Sequence, residues 1–196
     1  MGYSSSIQEY FIRIPLEWWL LVVMVGIVLS LILGEMYSTK KKGILQMVLF
    51  FFLFEYLLVV LISTVFSRVS SDEYLYKLEL FWSYRNFLEI GVIGVLFENV
   101  YNLFLLFPYG FCVRIIFARM KLVWIWVSGT FISLIIEFLQ LALKKGYFEL
   151  DDIFHNSIGV LLGCLFYFLV VKISKKRRNL MMCLGGSSKC STEKLY

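Results

Sequence analysis

Charged residues, prolines and histidine are all scarce in this sequence. Among 196 residues there are two prolines and one histidine, and 17% of the residues are charged. In contrast, 60% are hydrophobic, and the mean hydropathy is +0.81. A soluble domain of this size cannot bury so much apolar surface in one core. The composition therefore excludes a soluble domain and indicates a membrane protein.

The four cysteines are too scattered to indicate a disulfide framework. Cys112 and Cys164 lie inside apolar runs, whereas Cys183 and Cys190 lie in a basic tail, so we interpret all four as unpaired thiols. A basic cluster is also missing before the first apolar run. That absence argues against a cleaved signal peptide and predicts that the run stays in the mature protein.

Five apolar runs are candidate membrane spans, since a transmembrane helix needs about 20 mostly apolar residues. Four of them are uninterrupted: 18–33, 44–66, 122–143 and 154–173. The remaining run, 99–117, contains Pro108 and Gly110, and we interpret it as a kinked span. The predicted fold is an all-α, multispanning transmembrane helix bundle with about five spans.

Basic residues predict the orientation of this bundle. With five spans, three basic groups fall on one side: residues 40–42, 114–121 and 172–194. Cytoplasmic loops carry the excess of Lys and Arg, so we expect the N-terminus outside and the C-terminus in the cytoplasm. The net charge of +5 is then an orientation signal. We expect membrane lipids as partners and no nucleic acid; the oligomeric state stays open.

The chain divides into four parts on this basis. Two N-terminal spans (1–66) precede an extracytoplasmic or interfacial segment (67–98), a core of three spans (99–173) and a basic cytoplasmic tail (174–196). The interfacial segment ends in "FLEIGVIGVLF", which is too short to cross a membrane and predicts an interfacial or re-entrant helix. A sixth span at this stretch is the alternative.

Polar residues recur on one face of the predicted fourth span. They are spaced by three or four residues, which places them on one side of a helix: Thr130, Ser133, Glu137 and Gln140. Such a stripe must face the bundle interior. A carboxylate at the depth of Glu137 is costly in a membrane, and it marks a functional site unless it is protonated and hydrogen-bonded.

The predicted fifth span opens with the densest polar cluster of the chain, "ELDDIFHNSIG". Several of its residues share one helical face with a later glycine: Asp152, His155, Asn156, Gly159 and Gly163. The glycines permit close approach of another helix. The connection from the fourth span is short, so the two helices should be antiparallel neighbours whose polar stripes meet. Asp151 is a candidate cap for the fifth span.

Three interpretations of these polar residues stay open. Capping and interhelical hydrogen bonds could explain them without any ligand. A zinc or manganese ion could bind Glu137, Asp152 and His155, although a single histidine is a weak ligand pattern. The same three residues could perform acid–base chemistry in a membrane-embedded hydrolase or transferase, but no nucleophile is evident. We favour a protein that is not an enzyme and has no cofactor.

Three sequence blocks resemble the VanZ-like proteins of bacterial membranes. They occur in the family's order: "NLFLLFPYGF" (102–111), "SLIIEFLQ" (133–140) and "FELDDIFHNSIG" (148–159). The family's recurring polar positions fall here on Asn102, Pro108, Gly110, Glu137, Gln140, Asp151, Asp152, Asn156 and Gly159. Relatives often carry Arg in the loop before the aspartates. This chain has Lys144 and Lys145 there, which lack the bidentate guanidinium.

The resemblance implies a function at the outer face of the bacterial cell membrane. One member of the family is associated with raised resistance to teicoplanin, a glycopeptide antibiotic that bears a lipid. We therefore expect a lipidated or lipid-linked ligand, with a role in glycopeptide resistance or envelope homeostasis. Because aspartates repel phosphate, binding would need a bridging metal, the two lysines or a cationic group on the ligand.

The candidate ligand site is built mainly from the fourth and fifth spans. Its members are the polar residues Asn102, Glu137, Gln140, Asp151, Asp152, His155 and Asn156. Structural roles are expected for Pro108, Gly110, Gly159 and Gly163.

Overall fold

A computed structural model describes residues 24, 26–28, 43–91 and 93–184 of the protein. From residue 43 onward the elements, in chain order, are α1 (Gly43–Leu61), a π-helical turn (Ile62–Phe66), β1 (Leu75–Lys77), α2 (Trp82–Ile90), α3 (Gly94–Leu105), α4 (Phe107–Ile116), α5 (Leu122–Ala142), β2 (Tyr147–Glu149) and α6 (Leu150–Leu184). The predicted all-α helical bundle is confirmed.

Four helical stretches in the described part of the chain are long and apolar enough to cross a membrane. They are Ile44–Phe66, Gly94–Ile116, Leu122–Ala142 and Leu150–Arg178, and they correspond to four of the five predicted spans. The other predicted span, 18–33, lies outside the described residues except for positions 24 and 26–28, which are helical. Large apolar side chains such as Phe131 and Phe138 are exposed on the bundle's outer surface, which suits a lipid environment.

The first of these stretches ends in a π-helical turn, and local side chains explain it. Ser63 and Thr64 hydroxyls both donate to the Val60 carbonyl, at 3.0 and 2.8 Å, and the Ser67 hydroxyl donates to the Ser63 carbonyl at 2.6 Å. These bonds compete with the regular helical ladder. The widened turn leaves the Thr64 carbonyl free to accept a bond from another helix, α5.

The predicted kinked span is interrupted at Leu106, between α3 and α4. Pro108 lacks the N–H that would continue the helical hydrogen bonds of α3, so the span breaks and the proline lies in the first turn of a new helix that starts at Phe107. The Leu105 carbonyl accepts a bond from the Tyr56 hydroxyl of α1 at 2.5 Å. A neighbouring helix thus satisfies a carbonyl at the break, as lipid surroundings require.

Glycines set the distance between α6 and the α3–α4 pair. A Cβ on Gly159 would overlap the Leu103 carbonyl oxygen, and one on Gly163 would overlap that of Phe107. Gly110 of α4 approaches the Val160 carbonyl in the same way. The close helix approach predicted at Gly159 and Gly163 is confirmed. Gly110 therefore serves packing, while Pro108 starts the new helix.

Residues 67–91 fold back over one end of the bundle. β1 pairs in parallel with β2, so that Lys77 lies opposite Glu149. α2 follows and ends at Gly91, whose positive φ of 74° suits glycine. The stretch "FLEIGVIGVLF" is thereby split: its first part completes α2, and its second part begins the span at Gly94. We call residues 67–91 the cap segment.

Candidate functional site

A polar cavity of about 500 Å³ lies beneath the cap segment. Its walls come from the π-helical turn and Arg68 just after it, the middle and end of α3, both strands and the first turn of α6. The lining residues are Ser63, Thr64, Arg68, Lys77, Glu98, Tyr101, Asn102, Leu105, Tyr147, Glu149 and Asp152. The volume falls in the range of roughly 300–1,000 Å³ that is usual for small-molecule sites. Two predicted site residues, Asn102 and Asp152, lie on its wall.

The two cations of the cavity have different surroundings. The Lys77 ammonium lies 3.4 Å from a Glu149 carboxylate oxygen and 3.5 Å from the centre of the Trp82 ring, with the Tyr147 ring 4.5 Å away. Arg68 forms no ion pair within 4.0 Å among the described residues, although it interacts electrostatically with Glu137 and Asp152. Lys77 is therefore engaged by the protein, and Arg68 is available to a ligand.

Glu149 joins the cavity to the cap segment. One of its carboxylate oxygens accepts a bond from the Trp82 indole N–H at 3.0 Å, while the other faces Lys77. Burial raises the pKa of Glu149 above its usual range, and the neighbouring Lys77 partly opposes that rise. The Glu149 backbone N–H donates to the Glu137 carboxylate at 3.0 Å. A single residue thus connects the cap segment, the cavity and the buried stripe of α5.

Asp151 is fully buried and caps a helix, but not the one predicted. Its carboxylate accepts bonds from the backbone N–H groups of Phe81 and Ser83, the latter at 3.2 Å, and from the Ser83 hydroxyl at 2.7 Å. Those N–H groups belong to the start of α2, where an anion also complements the helix dipole. Asn99 donates to the same hydroxyl at 2.9 Å. The first turn of α6 therefore anchors the cap segment.

His155 also lies under the cap segment and does not line the cavity. Its Nδ1 is 2.6 Å from the Asp151 carbonyl, and its Nε2 is 2.7 Å from the Tyr84 hydroxyl. A carbonyl oxygen only accepts, so Nδ1 carries the proton of the first bond. With both nitrogens engaged and the residue 3% exposed, His155 is placed to hold Tyr84 of the cap segment.

The remaining predicted site residues form a buried layer below the cavity. Asn156 of α6 donates to the Ser133 hydroxyl of α5 at 2.9 Å, which confirms that the two polar stripes meet. Gln140 donates to the Thr64 carbonyl at 3.1 Å. The side-chain oxygens of Gln140 and Asn156 are buried, and neither has a hydrogen-bond partner among the described residues.

The structure does not bring the three candidate metal ligands together. In the described part of the chain, no three acidic, imidazole or thiol side chains converge on a point that could hold a metal ion. Glu137 is turned to the Glu149 backbone, Asp152 lines the cavity and His155 points to Tyr84.

Lys144 and Lys145, which the sequence placed before the aspartates, are not cavity residues. Their ammonium groups donate to the carbonyls of Asp72 and Phe66, at 2.8 and 3.1 Å. The guanidinium in the cavity is that of Arg68, which reaches it from the end of the first described span. Sequence reasoning missed this residue. The only sequence feature that points to Arg68 is the distribution of basic residues between the two sides of the membrane. It predicts that Arg68 lies on the same side as the acidic cluster.

Fold and cavity together define a helical membrane protein with a polar site at one end of its bundle. The family model described as VanZ/LLP1 matches residues 20–171, so the chain belongs to the VanZ-like family. The motif blocks predicted a family core at 99–173; the match begins at residue 20 and extends the likeness to the earlier spans. Searches of curated proteins and of solved structures found no match.

Proposed function

We propose that this VanZ-like protein binds a lipidated or lipid-linked molecule at the outer face of the bacterial cell membrane. The observation that carries the proposal is the position of the cavity beside a lipid-facing surface. On α3, Glu98 and Asn102 line the cavity, while Phe97 and Phe104 on the adjoining face are 57% and 59% exposed. A ligand with a polar head and an apolar tail matches both surfaces.

Tyr101 joins the two surfaces. It lines the cavity and is 73% exposed, so its ring lies at the edge between the polar interior and the apolar face of α3. Tyrosine is suited to such a boundary because its ring is apolar and its hydroxyl is polar. A tail leaving the cavity past Tyr101 would remain in contact with apolar side chains.

The orientation part of the proposal can be tested with single cysteines. In a full-length version lacking the four native cysteines, cysteine replaces either the cavity residue Glu98 or Lys121, which is exposed at the opposite end of the bundle. A membrane-impermeant thiol reagent is then applied to intact cells. We expect labelling at position 98 and none at 121 until lysis; the reverse pattern would contradict an outward site.

The cellular role can be tested by drug sensitivity. Expression in a teicoplanin-susceptible bacterium should reduce killing by teicoplanin more than killing by a glycopeptide that has no acyl chain. Arg68→Gln should abolish this difference at unchanged protein abundance, because it removes the cavity guanidinium. Arg119→Gln is the matched control, since Arg119 is exposed in the connection between α4 and α5. Equal sensitivity with and without the wild-type protein would contradict a role in resistance.

The alternative of a hydrolase or transferase rests on Glu137, Asp152 and His155, and of these three Asp152 alone lines the cavity. Glu137 is 2% exposed and bonded to a backbone N–H, and both nitrogens of His155 are engaged. General acid–base catalysis requires a group within reach of the substrate. Neither residue lines the cavity in which a substrate would lie.

A further inference from the structure

We propose that the cavity selects a zwitterionic headgroup of the phosphoethanolamine type: a phosphate held by Arg68 and a primary ammonium held between Glu98 and Asp152. This inference rests on the proposed function and names the chemical class of the ligand's polar part. It is derived from cavity charges that form no ion pair within 4.0 Å among the described residues, although Arg68 attracts Asp152 at longer range.

The anionic half of the ligand is assigned from the position of Arg68. A Cβ at position 146 would lie 2.5 Å from an Arg68 guanidinium nitrogen, so Gly146 leaves the room that the guanidinium occupies. The same Cβ would lie 3.5 Å from the side-chain oxygen of Gln140, which has no hydrogen-bond partner among the described residues. Arginine binds phosphate through two parallel N–H bonds. With no ion-pair partner among the described residues, Arg68 retains that capacity.

The cationic half is assigned from two carboxylates. Glu149 is paired with Lys77, whereas the side chains of Glu98 and Asp152 have neither a hydrogen bond nor an ion pair within the described part of the chain. Glu98 and Asp152 also repel each other electrostatically. A primary ammonium has three donors and one positive charge, so it can bond both carboxylates and relieve the repulsion.

A purely anionic headgroup fits this cavity less well. Phosphate at Arg68 would engage the guanidinium that attracts Asp152 and would add negative charge to a cavity that Glu98 and Asp152 also line. A trimethylated ammonium would supply charge but no hydrogen bonds to the carboxylates. The expected order of affinity is therefore phosphatidylethanolamine above phosphatidylcholine, with phosphatidylglycerol weakest.

The test is calorimetric titration of the purified full-length protein in detergent. The probes are dihexanoyl phosphatidylethanolamine, phosphatidylcholine and phosphatidylglycerol, together with free phosphoethanolamine, which lacks a tail. Wild-type protein should bind the ethanolamine lipid at least tenfold more tightly than the glycerol lipid. Free phosphoethanolamine should bind more weakly than the ethanolamine lipid, because it gains nothing from the apolar face of α3.

Two variants separate the halves of the site. Glu98→Gln should abolish the preference for the ethanolamine lipid without lowering the affinity for the glycerol lipid. Arg68→Gln should weaken the binding of all three lipids at least tenfold. Arg68→Lys should restore part of the lost affinity. Glu73→Gln, an exposed change in the cap segment away from the cavity, is the matched control. Thermal unfolding and gel filtration of each variant confirm that it is folded.

The outcomes distinguish this inference from the proposed function. Equal affinity for the ethanolamine and glycerol lipids, unaffected by Glu98→Gln, would overturn the selection of a zwitterionic headgroup. It would leave the proposal of lipid binding intact. If free phosphoethanolamine bound as tightly as the ethanolamine lipid, the headgroup chemistry would be supported. The proposal that the apolar tail contributes to binding would be contradicted. Absence of binding by every probe would overturn both.

Discussion

The first two turns of α6 and the two turns that follow are held in the protein in different ways. In the first region, Asp151, His155 and Asn156 make side-chain hydrogen bonds to α2 and α5. In the second, Gly159 and Gly163 contact the backbone carbonyls of α3 and α4. The helices pack closely in the glycine region because glycine has no side chain. The polar region is held by hydrogen bonds to residues that are distant in sequence.

This difference predicts how each region responds to change. Interhelical hydrogen bonds in membrane proteins contribute only about 0.6 kcal/mol on average, because the unfolded state in the membrane also finds partners. An added methyl group that overlaps a backbone atom cannot be accommodated by a side-chain rotation, and overpacking of this kind costs roughly 1–3 kcal/mol. The glycine region should therefore be the more sensitive of the two.

The largest effect is expected for Gly159→Ala. Its methyl group would overlap the Leu103 carbonyl, so α6 must move away from α3, with a loss of roughly 1–3 kcal/mol of stability. Gly94→Ala is the matched control, because a Cβ there meets nothing within 4 Å. Unfolding of both purified variants in denaturing detergent would measure the difference. Equal stability of the two would contradict the close packing at Gly159.

Removal of the Asp151 carboxylate should have the next largest effect. Asp151→Ala leaves two N–H groups at the start of α2 without their acceptor, and loss of a helix cap costs roughly 0.5–2 kcal/mol. Hydrogen exchange should accelerate across α2 and less so in α5. Asp72→Ala, at an exposed position of the same cap segment, should leave the exchange unchanged. Unchanged exchange in α2 of the Asp151 variant would refute the capping role.

A smaller effect is expected at the contact between Ser133 and Asn156. A double-mutant cycle with Ser133→Ala and Asn156→Leu should give a coupling energy of about 0.6 kcal/mol. The double variant should be more stable than the sum of the single losses predicts, because it leaves no unpaired partner. A coupling energy near zero would show that the bond does not contribute to stability.

The smallest effect is a pH dependence from Glu149. Its pKa is raised in the folded protein, so the protonated form is favoured there; stability should fall as the pH rises from about 4.3, the unfolded value, through the raised folded pKa. Glu149→Gln should flatten this part of the profile. The measurement is the unfolding midpoint of both proteins between pH 4 and about 8. Parallel profiles would contradict a raised pKa.

Much of the fold could be predicted from the sequence because lipid imposes strict rules. Four spans, the break near Pro108 and the close approach at Gly159 and Gly163 follow from hydropathy and residue size. The buried stripe of α5 follows from helical spacing, and its contact with Asn156 follows from the short connection between the two helices. The predicted orientation of the bundle and the predicted span at 18–33 stay predictions.

The site itself was only partly predictable. Helical spacing identifies faces along one helix, but Arg68 reaches the cavity from an irregular segment with no periodicity. Asp151 was expected to cap α6, the helix in which it lies, because capping rules concern neighbours in sequence. Its bonds to α2 instead join residues about seventy positions apart in the chain, for example 81 and 151.

The sequence by itself determined that the chain is a helical membrane protein with a polar layer inside it. The length of apolar runs, the spacing of glycines and the cost of buried carboxylates are local properties of the sequence. In lipid they restrict the fold strongly. Only the tertiary structure decided that the cap segment folds over the start of α6, that Lys77 pairs with Glu149 and that Arg68 lines the cavity without an ion pair among the described residues. Those outcomes depend on distances between elements, which no local pattern in the sequence encodes.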